Sequence, residues 1–142
     1  MTLIDANILL YAYDSWSPRH QQARVWLENT VSGPEPAALA WTVILAFLRI
    51  STDPRILRKP LSVPQAADLI SEWVGKPTVT VLSPGVRHWQ ILERVLVDGR
   101  ASGKLVMDAH LAALALEHGA VIATADRGFA RFPGLKLLNP LQ

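Results

Sequence analysis

Cysteine is absent from this chain of 142 residues, and charged residues are scarce. Without cysteine the chain has no disulfide, thiolate nucleophile or zinc–thiolate site, so its chemistry depends on oxygen and nitrogen side chains. Only 18% of the residues are charged and half are hydrophobic, a balance that excludes a disordered chain. We expect a single domain that spans residues 1–142.

A long hydrophobic run and a basic leader are also missing. The most apolar stretch, residues 36–48, is much shorter than the ~20 residues that a membrane-spanning helix needs. The first five residues, MTLID, place no basic segment before their apolar residues, unlike a secretory signal. We therefore expect a cytoplasmic protein with no membrane attachment. The net charge of +2 is compatible with a polyanionic partner but does not establish one.

Short apolar segments alternate along the chain with longer segments of helical periodicity. This alternation predicts an α/β domain with a mainly parallel, short-stranded sheet. We predict strands at residues 2–5, 37–40, 78–82, 121–124 and 135–138. Helices are predicted at residues 7–13, 18–30, 43–51, 62–74, 83–97 and 104–118, with a short helical turn at 126–131. Thr42 is predicted to cap the third helix and Gly119 to end the last long one.

Nine of the twelve acidic residues have ordinary explanations. They occur in predicted turns and loops or on solvated helix faces, where carboxylates are common. These residues are Asp14, Glu28, Glu35, Asp53, Asp68, Glu72, Glu93, Asp98 and Glu117. We expect all nine at the surface.

Asp5 and Asp126 each follow a short apolar segment that is predicted to be a strand. Both should emerge at the carboxyl edge of the sheet, where open parallel sheets bind ligands. Either residue alone would more often cap a helix or a turn. Two of them at one edge favour a site.

Asp108 lies within a predicted helix, on the face that carries Leu111 and Ala115 toward the sheet. The alternative is a surface pair with Lys104, which precedes Asp108 by four residues. That orientation is the less favourable one and contributes only a few tenths of a kcal/mol. An inward-facing carboxylate is therefore expected.

Carboxylates that converge raise one another's pKa unless a cation neutralises them. With hard oxygen ligands at Asp5, Asp108 and Asp126, Mg²⁺ or Mn²⁺ is the expected cation. Asn7 and Thr124 belong to the same neighbourhood and are expected to orient the carboxylates. A helix cap at Asn7 and an ordinary strand threonine at Thr124 are equal alternatives.

Three segments carry a resemblance to a known family: LIDAN at residues 3–7, DAHLA at 108–112 and ATADRGF at 123–129. In order and spacing they resemble PIN-domain ribonucleases, specifically the VapC-type toxins of toxin-antitoxin systems. The resemblance covers nearly the whole chain, and FPGL at 132–135 is similar to the end of many such toxins.

The resemblance implies a three-layer α/β/α PIN-like fold and Mg²⁺- or Mn²⁺-dependent endoribonuclease activity. It implies that Asp5, Asp108 and Asp126 are catalytic metal ligands, with Asn7 and Thr124 in support. It also implies an RNA substrate such as tRNA, a cognate antitoxin that neutralises the enzyme, and a homodimer.

One position departs from the family pattern. PIN domains usually carry a further acid, commonly Glu, early in the helix after the second strand, and residues 42–49 (TVILAFLR) have none. Ala46 stands at the matching position. A pair of metal ions held ~3.5–4 Å apart generally needs more than three carboxylates, so the sequence favours either a single ion or the recruitment of another acid.

Basic side chains are the candidates for RNA contact. Arg127 directly follows Asp126 and is expected to support the site. Arg49, Arg55, Arg58 and Lys59 lie on or after the helix that borders it. A solvated basic face is the alternative for the last three.

Two other functions are compatible with these residues. A PIN-like RNA-binding or regulatory module with impaired catalysis would account for the missing acid, although it gives no reason to keep three like charges together. A haloacid-dehalogenase-like phosphatase with Asp5 as nucleophile would need an acid at Asn7 and a larger chain.

Overall fold

The computed structural model of the chain describes residues 1–142, and its five strands form one sheet in which every pairing is parallel. The strands are β1 (Thr2–Ile4), β2 (Ala37–Ala40), β3 (Val79–Leu82), β4 (Val121–Ala123) and β5 (Leu137–Leu138). Their order across the sheet is β3-β2-β1-β4-β5. The predicted α/β fold with a parallel, short-stranded sheet is confirmed.

Helices flank the sheet in two groups. They are α1 (Ala6–Tyr13), α2 (His20–Ser32), α3 (Trp41–Ser51), α4 (Val63–Val74), α5 (His88–Asp98), α6 (Leu105–His118) and a short 3₁₀ helix (Arg127–Arg131). In the first group α1 packs against α2 and α3, and α3 packs against α4. In the second group α5 packs against α6.

The strand order reverses between β1 and β4. The chain moves from β1 outward to β2 and β3, then returns to β4 on the other side of β1. Because crossovers between parallel strands are right-handed, the helices before β3 and those after it cover opposite faces. The crevice at the carboxyl ends of β1 and β4 is where such sheets bind ligands.

A single hydrophobic cluster of 32 buried residues joins the sheet to both groups of helices. Small side chains allow close approach in two elements. All four residues of β2, AALA, are buried, and so are Ala109, Ala112, Ala113 and Ala115 of α6. Gly119 ends α6 in the left-handed conformation with φ 67°, as predicted. No helix combines the length and the apolar character that a membrane crossing requires.

Three local predictions are wrong. Thr42 does not cap α3, because the chain passes from the extended residue Ala40 directly into the helix and Thr42 already lies in its first turn. Residues 83–87 are not helical, and α5 begins at His88. The backbone amides of Gly85 and Arg87 instead donate to the Glu117 carboxylate, at 2.8 and 3.1 Å. Glu117 is consequently half-buried rather than an exposed surface charge.

Candidate active site

Asp5 stands at the point where β1 ends and α1 begins. Its backbone amide donates to the Ala123 carbonyl at 3.0 Å, which continues the ladder to β4. Its carboxylate atom Oδ1 accepts from the Ala6 amide at 2.7 Å and caps α1. The capping role considered for Asp5 is therefore real, but it occupies only one carboxylate oxygen.

The second oxygen, Oδ2, belongs to a network of polar side chains across the β1–β4 crevice. The buried hydroxyl of Thr124 donates to Asp5 Oδ2 at 2.8 Å. The Asn7 side-chain amide donates to Asp5 Oδ2 at 3.2 Å and to Thr124 Oγ1 at 3.1 Å. The Thr124 hydroxyl also accepts from the Asp126 amide at 3.0 Å. Asn7 and Thr124, which were predicted to support the site, therefore both hydrogen-bond to the Asp5 carboxylate.

The Asn7 side chain has a defined orientation. Its Oδ1 accepts from the Ala125 amide at 3.3 Å, so its nitrogen must face Asp5 and Thr124. An acid at this position could not donate to Asp5 and would add a further negative charge. The phosphatase interpretation required such an acid and does not fit this contact.

Asp126 lies at the exposed rim of the crevice. Its Oδ1 accepts from the Gly128 amide at 2.8 Å and caps the 3₁₀ helix. No hydrogen bond occupies its other oxygen. As at Asp5, a capping interaction positions the carboxylate and leaves acceptor capacity free.

Asp108 lies in the first turn of α6, half-buried, and its carboxylate makes no hydrogen bond or ion pair. The alternative pairing with Lys104 is therefore not formed. Asp108 and Asp5 line one cleft of about 630 Å³, with α3 on its other wall. The structure thus brings these two predicted ligands into one cleft, whereas Asp126 lines a separate depression.

The charges of the three carboxylates act on one another. Burial raises the pKa of Asp5, and the neighbouring charge of Asp126 raises it further, against the hydrogen bonds from Thr124 and Ala6. Burial also raises the pKa of Asp108, with Asp126 and Asp5 adding to the effect and Arg131 opposing it. The site therefore concentrates negative charge that a cation would relieve.

The carboxylate oxygens of the site are suitable ligands for a hard divalent cation that keeps part of its water shell. Free carboxylate oxygens are available at Asp108 and Asp126, and Asp5 has unused acceptor capacity. No three acidic or histidine side chains lie close enough to enclose an ion by themselves. Mg²⁺ is usually held by one or two carboxylates together with water, which this open arrangement permits.

Ala46 and Arg49 line the same cleft, one helical turn apart on α3. Ala46 occupies the position where the family pattern expects a further carboxylate, and no other acid of the cleft lining replaces it. Arg49 is the cation of this wall. The basic residues Arg55, Arg58 and Lys59 lie exposed in the loop that follows α3 and do not line the cleft.

Two arginines lie near the carboxylates, Arg127 beside Asp126 and Arg131 near Asp108. Arg127 is exposed and lines a separate depression with Asp126, rather than the cleft that contains Asp5 and Asp108. Arg131 was not predicted, yet its charge acts on Asp108, while its Nη1 donates to the Gly99 carbonyl at 3.2 Å. No spacing rule marks Arg131, because its position depends on how the 3₁₀ helix packs.

Comparisons with known proteins identify the family of the chain. Residues 2–135 match the sequence profile of the PIN domain family. The chain is 39% identical over 140 residues to ribonuclease VapC37 of Mycobacterium tuberculosis, an alignment that covers 99% of this chain and 97% of the relative. It is 37% identical over 142 residues to ribonuclease VapC33 of the same species, covering 100% and 99% of the two chains.

Among solved structures, the fold is similar to VapBC2 from Rickettsia felis bound to a DNA fragment from its promoter. The TM-score is 0.71 at 15% identity, with 97% of each chain covered. At that identity the likeness shows the α/β/α fold alone. The matches in sequence go further, and this chain belongs to the PIN domain family, among its VapC ribonucleases.

Proposed function

We propose that this chain is a divalent-metal-dependent endoribonuclease toxin that hydrolyses phosphodiester bonds of cytoplasmic RNA, with structured RNA such as tRNA as the substrate class. In this proposal Asp5, Asp108 and Asp126 are the catalytic carboxylates. One observation carries it: Asp5 and Asp108 share one cleft at the switch point of the sheet, and all three carboxylates interact as like charges.

Mg²⁺ or Mn²⁺ would be held by Asp5 and Asp108, with Asp126 acting directly or through water. When bound, the ion would supply activation of a water nucleophile and neutralise negative charge on the phosphate. Because Ala46 brings no further carboxylate to the cleft, we expect one ion per chain.

The remaining side chains of the site orient the carboxylates or bind the substrate. Thr124 and Asn7 fix the Asp5 carboxylate through Oδ2, so its orientation is set before the substrate arrives. Arg49 lines the opposite wall and would pair with a phosphate of the bound RNA. Arg131 limits the mutual repulsion of the carboxylates through its charge near Asp108.

A protein antitoxin is the expected regulator. The wall of the cleft includes Leu45 and Met107, which are 59% and 56% exposed, beside the carboxylates. Apolar side chains left open at a charged cleft favour a protein segment that covers both. We further propose that residues 1–142 form one PIN domain and that the toxin is a homodimer, for which light scattering should give twice 15.6 kDa.

The decisive experiment is cleavage of a total tRNA pool by purified protein with Mg²⁺, Mn²⁺ or EDTA. We expect cleavage with a divalent ion, none with EDTA, and a loss of at least about 100-fold in the Asp5→Asn and Asp108→Asn variants. Asp68→Asn, at an exposed acid of α4, is the matched control and should cleave normally. Cleavage that persists in EDTA or in either site variant would contradict the proposal.

The same experiment tests the alternative of a catalytically impaired RNA-binding module, which the alanine at position 46 favours. That module would bind the tRNA pool without cutting it under any metal condition.

A further inference from the structure

A pair of side chains outside the cleft is not used by the proposed chemistry. The Arg58 guanidinium lies over the Trp16 ring, and its Cζ atom is 4.4 Å from the ring centroid. Trp16 belongs to the turn between α1 and α2, whereas Arg58 belongs to the loop after α3. The contact therefore joins two loops that are distant in sequence, and it is a cation–π pair.

The pair remains open to solvent. Trp16 is 55% exposed although Arg58 covers part of its ring, and Arg58 is itself exposed and forms no ion pair. A tryptophan that served only to tie the loops together would bury most of its surface. An open indole beside an unneutralised guanidinium offers a stacking surface and a phosphate partner at once.

The segment that leads from the cleft wall to Arg58 carries two further arginines. Arg49 lines the cleft and its charge reaches Asp53, whose pKa is lowered chiefly by the hydrogen bonds from Arg55 and to a smaller degree by Arg49. Arg55 donates to Asp53 at 3.2 Å, and Arg58 follows three residues later. Arg49, Arg55 and Arg58 therefore follow one another along the chain from the cleft wall to the pair, with Arg55 held by its ion pair to Asp53.

We propose that Trp16 and Arg58 form a platform on which an unpaired nucleotide of the bound RNA stacks, outside the catalytic cleft. The proposal rests on the proposed ribonuclease function and adds a second point of contact to it. An unpaired nucleotide is required because bases within an RNA duplex do not expose their faces to a side chain. Stacking of this kind accepts any base, so the platform contributes affinity rather than sequence preference.

The test measures binding in EDTA of a fluorescein-labelled oligouridylate of about 15 nucleotides. Trp16→Ala should weaken binding by about 5- to 100-fold, whereas Trp16→Phe, which keeps an aromatic face, should retain most of the affinity. Binding should quench tryptophan fluorescence in the wild type, and this quenching should be lost in Trp16→Phe. Trp89→Ala is the matched control, because Trp89 is 63% exposed on α5 and has no cation above its ring.

A second variant protects the test against misfolding. Arg58→Ala changes an exposed side chain and should keep the wild-type melting temperature. It should weaken RNA binding and reduce the magnitude of the slope of log affinity against log salt concentration by about one. Equal affinity for wild type, Trp16→Ala and Arg58→Ala overturns the proposal, and so does undetectable binding of the oligonucleotide by the wild type. Loss of antitoxin binding in Trp16→Ala with unchanged RNA affinity would assign the platform to the protein partner and would also overturn it.

Kinetics separate this proposal from the ribonuclease proposal. With Mn²⁺ and the tRNA pool, Trp16→Ala should raise KM and leave kcat within about twofold, because the platform contributes uniform binding. A wild type that binds RNA through Trp16 but cuts none would defeat the catalytic proposal alone. If the wild type and Trp16→Ala cut RNA equally well, the platform proposal alone would fail.

Discussion

The Thr124 hydroxyl donates to Asp5 Oδ2 at 2.8 Å, although the two residues are 119 positions apart in the chain. The same hydroxyl accepts from the Asn7 side chain and from the Asp126 backbone, so all its hydrogen-bonding capacity is used. Thr124 thereby links the Asp5 carboxylate to the backbone of Asp126 through one buried atom. For RNA cleavage and for stability, the hydroxyl of Thr124 should therefore matter more than its methyl group.

Thr124→Val is the first prediction, because it removes this hydroxyl at nearly constant volume. We expect RNA cleavage to fall by about 10- to 100-fold, since groups that orient metal ligands have effects of this size. The free energy of unfolding should fall by about 1–3 kcal/mol, because buried donors lose their acceptor. Thr124→Ser restores the hydroxyl and should recover most of the activity. If valine and serine behaved alike, packing rather than hydrogen bonding would explain the position.

Metal binding should stabilise the folded protein, because converging carboxylates repel one another without a cation. Mn²⁺ at 100 times its Kd should add about 2.7 kcal/mol. For a chain of this length that corresponds to a rise in Tm of about 6–10 °C over the EDTA value, measured by thermal unfolding.

Asp108→Asn and Asp5→Asn provide the controls for this shift. Either change should remove most of the metal-induced rise in Tm, whereas Asp68→Asn should leave it intact. In EDTA, Asp108→Asn should melt no lower than the wild type, because burial, together with the charges of Asp126 and Asp5, raises the pKa of Asp108 and the substitution removes this unfavourable charge. A full metal-induced rise in both site variants would show that the ion binds elsewhere.

Ala46→Glu tests the departure from the family pattern. The new carboxylate would enter the cleft lined by Asp5 and Asp108. We expect calorimetry to show a change from one Mn²⁺ per chain to two, with faster cleavage of RNA. Ala46→Gln adds the same bulk without charge and should still bind one ion. A glutamate variant with wild-type stoichiometry and affinity would show that this wall takes no part in binding metal.

The sequence predicted best those features that depend on neighbouring residues. Asp5 directly follows β1 and Asp126 lies three residues beyond β4, so the strand ends determine where both carboxylates emerge. Asn7 and Thr124 lie two residues from them and were predicted to act with them, and their contacts with Asp5 confirm that placement. The catalytic roles of these residues stay predictions.

Features that depend on packing between distant elements were missed. Glu117 was expected at the surface because helical periodicity places it on an outer face. The loop at residues 83–87, about 30 positions earlier, folds over it. Arg131 was overlooked for the same reason, whereas Arg127 was preferred only for its proximity in sequence to Asp126. Tertiary contacts of this kind leave no periodic signal in the chain.

Glu117 provides a pH-dependent prediction of stability. The Gly85 and Arg87 amides hydrogen-bond its charged form and hold the pKa of Glu117 below its ordinary value of 4.5, with the charges of His88 and His118 acting in the same direction. A carboxyl group whose pKa is lowered by folding stabilises the protein above pH 4.5, and this contribution is lost as the pH falls through the folded-state pKa. Glu117→Gln should therefore lower the free energy of unfolding at neutral pH, with a difference from wild type that shrinks below pH 4.5.

Urea unfolding of both proteins at neutral and acidic pH measures this difference. Glu93→Gln is the matched control, since Glu93 is an exposed glutamate of α5 without such contacts, and its difference from wild type should be small at every pH. A Glu117→Gln difference that did not change with pH would mean that the amides bind a neutral glutamine as well as a carboxylate. In that case the loop at residues 83–87 would depend on the shape of residue 117 rather than on its charge.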